Sequence, residues 1–212
     1  MTLKNLLVIL ISQPNNRSKG RNMIRFYLNR ELAQKLGFKL SRWKRWSREF
    51  LPPDPLGGLQ SGFARQYTAA DAFQVYLGGH LVSNKNFSIP ETKIILEDLK
   101  YWVATQYFSY PGAEKRASVQ SPVREYRIFI FMNRDATQAL PSPSYLLRRL
   151  IDEERTRGNG SGFITERYIQ NWLKIGDLVS KGGEPDVVPD LVAARILYIS
   201  KVYQLYKERL QE

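Results

Sequence analysis

The residues best equipped for chemistry lie between positions 39 and 67. Over "KLSRWKRWSREF" (39–50), Lys39, Arg42, Lys44, Arg45 and Arg48 supply five cations, and Ser41 adds a hydroxyl. Guanidinium groups grip phosphate oxygens or the O6/N7 edge of guanine in bidentate fashion, while an ammonium meets phosphate as a point charge. The sequence leaves open which of these cations takes which role. The following stretch, "FLPPDPLGGLQSGFARQYT" (50–68), holds three prolines and three glycines and then delivers one more cation, Arg65, between Phe63 and Tyr67. A loop that turns this sharply can return Arg65 beside the basic segment. Phe63 and Tyr67 then pack that return or touch the sugars of a polyanion.

Charge elsewhere supports a polyanion partner. Residues 1–65 carry 13 Lys/Arg against 3 Asp/Glu, a net of +10, whereas the remaining 147 residues carry only +2 of the total +12. Such asymmetry fits nucleic acid or an acidic surface held by the first third of the chain. Other chemistries have little to work with. There are no cysteines and one histidine, His80, so thiolate metal sites, disulfides, thiol nucleophiles and His-dependent triads are excluded or starved of parts. Asp152, Glu153 and Glu154 sit beside Arg148, Arg149 and Arg155 and read as surface ion pairing. The glycines of "RTRGNGSGF" (155–163) follow a charged segment and lack the lysine of a phosphate loop. No enzyme, cofactor or metal is expected.

The elements that position these groups follow from spacing. "NRELAQKLG" (29–37) reads as a helix with Asn29 as its cap and Gly37 as its stop. Leu40, Trp43, Trp46 and Phe50 recur at three- and four-residue steps, so a second helix buries its tryptophans and leaves its cations outside. Two helices around a glycine make a helix-turn-helix. Prolines 52, 53 and 55 end the second helix. Strand, glycine turn and "QSGFARQY" form a two-stranded wing. Thr68 to Asp71 is a capping box for a third helix, and a fourth starts at "IPE" (89–91). "SYPGAEKRASVQSP" (109–122) reads as a linker. Beyond it, "REYRIFIFM" (124–132) is a strand. "SPSYLLRRLIDEERTR" (142–157), "TERYIQNWLKIGDLVS" (165–180) and "PDLVAARILYISKVYQLYKERL" (189–210) read as helices, the last with an apolar stripe through Val192, Ile196, Ile199, Val202, Tyr203 and Tyr206. The apolar run Leu6–Ile11 is far short of the ~20 residues a membrane span needs. The first 22 residues are expected to form an extension outside the packed domain, with Met23 a candidate initiator.

In order and anchors, "ELAQKLGFKLSRWKRWSREFLPP" followed by "SGFARQYTAADAFQVYLGGHLVSNKNFSIPETKIILEDL" resembles the DNA-binding half of the MerR family over about residues 27–100. The matching features are a helix-turn-helix ending in Leu-Pro-Pro, an aromatic-Arg wing, an Asp-containing helix and a Phe-Ser-x-x-Glu helix start. The turn and second helix are one residue shorter than the family's pattern. Gly62-Phe63-Ala64-Arg65-Gln66-Tyr67 has one residue added between aromatic and arginine, and the family's Arg-Tyr-Tyr core stands here as Lys44-Arg45-Trp46.

The resemblance implies a cytoplasmic, nucleoid-associated homodimer on double-stranded DNA, one that reshapes a promoter for RNA polymerase; a small organic effector, a protein partner or no effector all stay open. Ile94–Phe108 and Pro189–Leu210 are the candidate pairing helices. The expected fold is mainly α: a winged helix-turn-helix domain (23–108), the linker (109–122), and a mostly helical C-terminal domain (123–212) with one or a few short strands. DNA contacts are expected from Lys39, Ser41, Arg42, Lys44, Arg45, Arg48, Phe63, Arg65 and Tyr67. An excisionase-like architectural factor and a basic protein-interaction module are the alternatives.

Overall fold

A computed structural model of the chain describes residues 25–54, 65–108, 125–133, 142–157, 162–173 and 193–211. Its elements run β1 (Tyr27–Leu28), α1 (Asn29–Lys35), α2 (Leu40–Phe50), β2 (Gln66–Tyr67), α3 (Ala69–Lys85), α4 (Ile89–Tyr107), β3 (Glu125–Asn133), β4 (Ser142–Arg157), β5 (Gly162–Leu173), β6 (Arg195–Leu197) and α5 (Ile199–Gln211).

The helical half follows its local signals. Gly37 adopts φ +73° directly after α1, a left-handed conformation that glycine enters without a Cβ penalty. Thr68 and Asp71 close a capping box on α3, with the Asp71 amide on Thr68 Oγ1 at 3.1 Å and the Thr68 amide on Asp71 Oδ2 at 3.1 Å. Ser88 and Glu91 do the same for α4, where Pro90 occupies a first-turn position that needs no N–H partner. α1 departs in detail. Leu28, not Asn29, stands at its N-cap, and Asn29 turns its side chain to another use described below.

The mainly α expectation is overturned beyond residue 124. A four-stranded antiparallel sheet, ordered β5-β4-β3-β6, occupies that half of the chain. The segments 142–157 and 165–180, expected as helices, contribute β4 and most of β5, and the long helix expected from 189 begins only at Ile199 after the short strand β6. The cause is that Leu146, Leu147, Leu150 and Ile151 satisfy a helical period while alternate residues equally satisfy a pleat. Tyr145 and Leu147 point to the core opposite Ile130 and Ile128, and the aromatic and β-branched content of β5 suits cross-strand packing. β4 and β5 stay paired beyond the end of β3, from Asp152↔Arg167 to Arg157↔Gly162, after a register shift between Leu150 and Asp152.

β2 likewise pairs with β1 (Tyr27↔Tyr67, Leu28↔Gln66), so among the described residues the strand that carries Arg65's neighbours is held by the stretch before α1. The glycine turn of the expected wing, with Phe63, falls outside the described residues.

One hydrophobic cluster runs through both halves. It joins Leu32, Trp43, Phe73 and Ile95 of the helices to Ile128, Tyr145 and Leu197 of the sheet and to Ile199, Val202 and Tyr206 of α5. Polar contacts cross the same boundary. Tyr145 donates to Asp98 at 2.6 Å, Ser200 Oγ accepts from the Tyr126 amide at 2.9 Å, and Tyr206 donates to the Ala69 carbonyl at 2.7 Å. The apolar stripe of α5 is therefore spent inside its own chain, which removes it from the candidate pairing surfaces. No helix among the described residues is long and apolar enough to cross a membrane.

Candidate nucleic-acid interface

The arrangement begins with the buried side of α2. Trp43, Trp46, Ser47 and Phe50 are buried, and Phe38 packs edge-on against Trp46 with ring centroids 5.1 Å apart. α3 meets this face with two consecutive glycines. A Cβ at Gly78 would overlap the Phe50 ring and one at Gly79 would overlap the Trp46 ring, so the two helices approach only because those positions lack side chains. Gln74 donates to the Phe50 carbonyl at 2.8 Å, satisfying one of the acceptors a helix end leaves open.

With the tryptophans pinned inward, helical geometry leaves Ser41, Arg42, Lys44, Arg45 and Arg48 exposed on the other side, and Lys39 exposed at the N-cap. Arg42 lies over the Trp46 ring at 5.8 Å, a contact that orients its guanidinium along the helix. Glu49, the acid of α2, is bound to Lys93 of α4 at 2.8 Å, and its carboxyl is held below the usual range by Lys93 first and then by Arg45 and Arg48. It therefore stays charged, with Lys93 as its bound partner and a weaker pull on Arg45 and Arg48.

β2 is fixed to α2 by a buried relay. The Tyr67 hydroxyl donates to Asn29 Oδ1 at 2.6 Å and lies 2.6 Å from Ser47 Oγ. A phenol has one proton, so Ser47 must be the donor to Tyr67. Trp43 packs edge-on against the Tyr67 ring at 5.8 Å. Arg65, two residues upstream, lies over the same ring at 5.6 Å. Between α2 and β2 opens a cleft of about 680 Å³ lined by Ser41, Lys44, Arg48, Arg65, the Pro52–Pro53 turn and the carboxylate of Asp54.

Five of the expected contact residues, Ser41, Lys44, Arg48, Arg65 and Tyr67, thus border one cleft, while Lys39, Arg42 and Arg45 stand on the exposed surface outside its lining. Tyr67 borders the same cleft but is 1% exposed, and its ring packs to hold β2 in place. Asn29 and Ser47 escaped the sequence reading. Ser47 carried a signal, since it occupies a position on the buried 40-43-47-50 stripe, where a hydroxyl needs an internal partner.

Chemically, three cations and a hydroxyl around a half-open cleft suit the oxygens of a phosphodiester backbone, and the exposed arginine row suits the edges of a groove. Among the described residues no group of three or more His, Asp or Glu side chains is placed to hold a metal ion. The His80 imidazole is pushed below its ordinary value by burial and by Lys85, as expected for a packing residue. No family model and no curated protein matches this chain.

Proposed function

We propose that the chain is a non-enzymatic, MerR-like reader of double-stranded DNA. In this reading α2 enters the major groove, an element of the right width for it. Lys44, Arg48 and Arg65 clamp one stretch of backbone through the cleft, and Arg42 and Arg45 face base edges. The observation that carries the reading is the convergence of Arg65, from the residue just before β2, on the cationic face of α2. A merely solvated helix face would need no second element held beside it by a buried relay. The finer picture belongs to the same proposal: a cytoplasmic homodimer on a pseudo-palindromic promoter, working with RNA polymerase.

Fluorescence-anisotropy titration against random duplex, single strand and upstream duplex, at several salt concentrations, tests it. Each phosphate contact contributes roughly 0.9 to the log–log salt slope. Arg65→Ala should lower that slope by about 1 and weaken all duplexes alike, whereas Arg45→Ala should reduce the preference for one sequence. Equal, weak binding to every polyanion would refute duplex reading and favour a generic basic face.

A further inference from the structure

Between them, α3 and α4 leave a half-enclosed, mostly apolar trough of about 450 Å³. Leu77, Leu96 and Leu99 form its floor and are 2–4% exposed, so that surface is fixed by the core beneath it. Ala104 and Phe108 stand on one wall and Ala70 on the other. Polar groups gather at one end, where Gln74, Glu97 and Lys100 also line a second depression of about 280 Å³ that reaches Phe50 to Pro52 at the close of α2.

The charged groups of the lining are each already engaged. Lys100 Nζ lies 3.5 Å from Glu97 Oε1, Lys93 is bound to Glu49, and Asp71 is engaged by the Thr68 amide and hydroxyl. The lining keeps one unmatched negative charge, Asp71, and a charged head would have to displace a partner that each of these groups already holds. Gln74 uses its amide N–H on the Phe50 carbonyl, leaving its carbonyl oxygen to accept from a ligand hydroxyl. The volume lies in the range of small-ligand sites, ~300–1,000 Å³, and the pattern of apolar walls with few polar groups is theirs.

We propose that this trough binds an uncharged, elongated apolar molecule carrying a hydroxyl or amide at one end. Its body lies on Leu77, Leu96 and Leu99, and its head meets Gln74. The site does not depend on DNA reading, and its test uses no DNA.

The full chain is titrated with the neutral dye N-phenyl-1-naphthylamine, and the bound dye is then displaced by 1-decanol, decanoate or decylamine. The expected result is saturable one-to-one binding, with decanol displacing at least about tenfold better than either charged analogue, because burying an unpaired charge is costly. Ala104→Trp fills the trough and should abolish dye binding with the melting transition retained. Should that variant fail to fold, Ala70→Trp fills the trough from the opposite wall. Gln74→Leu should weaken decanol more than fivefold while leaving the dye unchanged. Absence of saturable binding, dye binding that survives both tryptophan variants, or equal displacement by the charged analogues would each overturn the proposal.

Discussion

Tyr67→Phe removes one oxygen atom and separates the positioning of Arg65 from its charge. The phenol is 1% exposed and serves two partners: Ser47 Oγ, itself 2% exposed, and Asn29 Oδ1. Deleting it leaves a buried hydroxyl without its acceptor and a half-buried amide oxygen without its donor. A hydrogen bond contributes about 0.5–1.5 kcal/mol net, and a buried polar group left unpaired costs about 1–3 kcal/mol. The second bond is only partly buried, so a total of about 2 kcal/mol is expected, the larger share from Ser47. For a chain of this length that lowers Tm by roughly 4–8 °C.

Ser47→Ala alone should cost a similar amount, because it strips the Tyr67 oxygen of its donor. The double variant should cost clearly less than the sum of the two, since removing both ends of the Ser47–Tyr67 bond leaves no buried orphan between them. Thermal melts of wild type, both single variants and the double variant, paired with duplex titrations, measure this. DNA affinity of Tyr67→Phe should fall with little change in salt slope, because every cation is still present. Strict additivity, or a Tyr67→Phe variant as stable as wild type, would refute the relay as what fixes β2 to α2.

Gly79→Ala drives a methyl into the Trp46 ring and should destabilise by about 1–3 kcal/mol, measured by denaturant unfolding, with the helix content of the folded state unchanged. Arg209→Ala removes the guanidinium that donates to the Leu36 carbonyl at 3.1 Å, and should cost about 1 kcal/mol in the same assay. Asp98 is held above the ordinary aspartate range, by burial first, against the lowering effect of the Tyr145 hydrogen bond. Its folded pKa exceeds its unfolded one, so its contribution to stability is complete below the unfolded value, ~3.9, and is lost as pH rises through the folded value. Asp98→Asn should flatten that part of the stability–pH curve, read from melts across pH 3–7, while still accepting from Tyr145.

The helical half was legible because its signals are local. A capping box at Thr68 and Asp71, a glycine after α1 and prolines after α2 each act within a few residues of where they are written, and the 3.6-residue spacing of Trp43, Trp46 and Phe50 could be counted directly. The sheet was not legible because its decisive contacts are remote. Tyr145 and Leu147 become strand residues through pairing with Ile130 and Ile128, some 15–19 positions earlier, and Arg195–Leu197 through pairing with the same strand, some 65–69 positions earlier. Of the cleft, the cations could be read from exposure on a helix, but the Ser47–Tyr67–Asn29 relay could not, because Asn29 advertises itself as a helix cap and is diverted by a residue 38 positions away.

The contact between Arg209 and the Leu36 carbonyl bears on how the protein comes into being. Leu36 closes α1 at the turn into α2, and α5 supplies Tyr206 to the aromatic core beneath α3. During synthesis the basic face of α2 leaves the ribosome about 160 residues before these last supports, at ~5–20 residues per second. For some ten to thirty seconds the nascent chain thus presents its cations on an unbraced scaffold. The braced form of this face exists only once α5 has docked, so a chain cut short anywhere before residue 199 lacks the support under its turn.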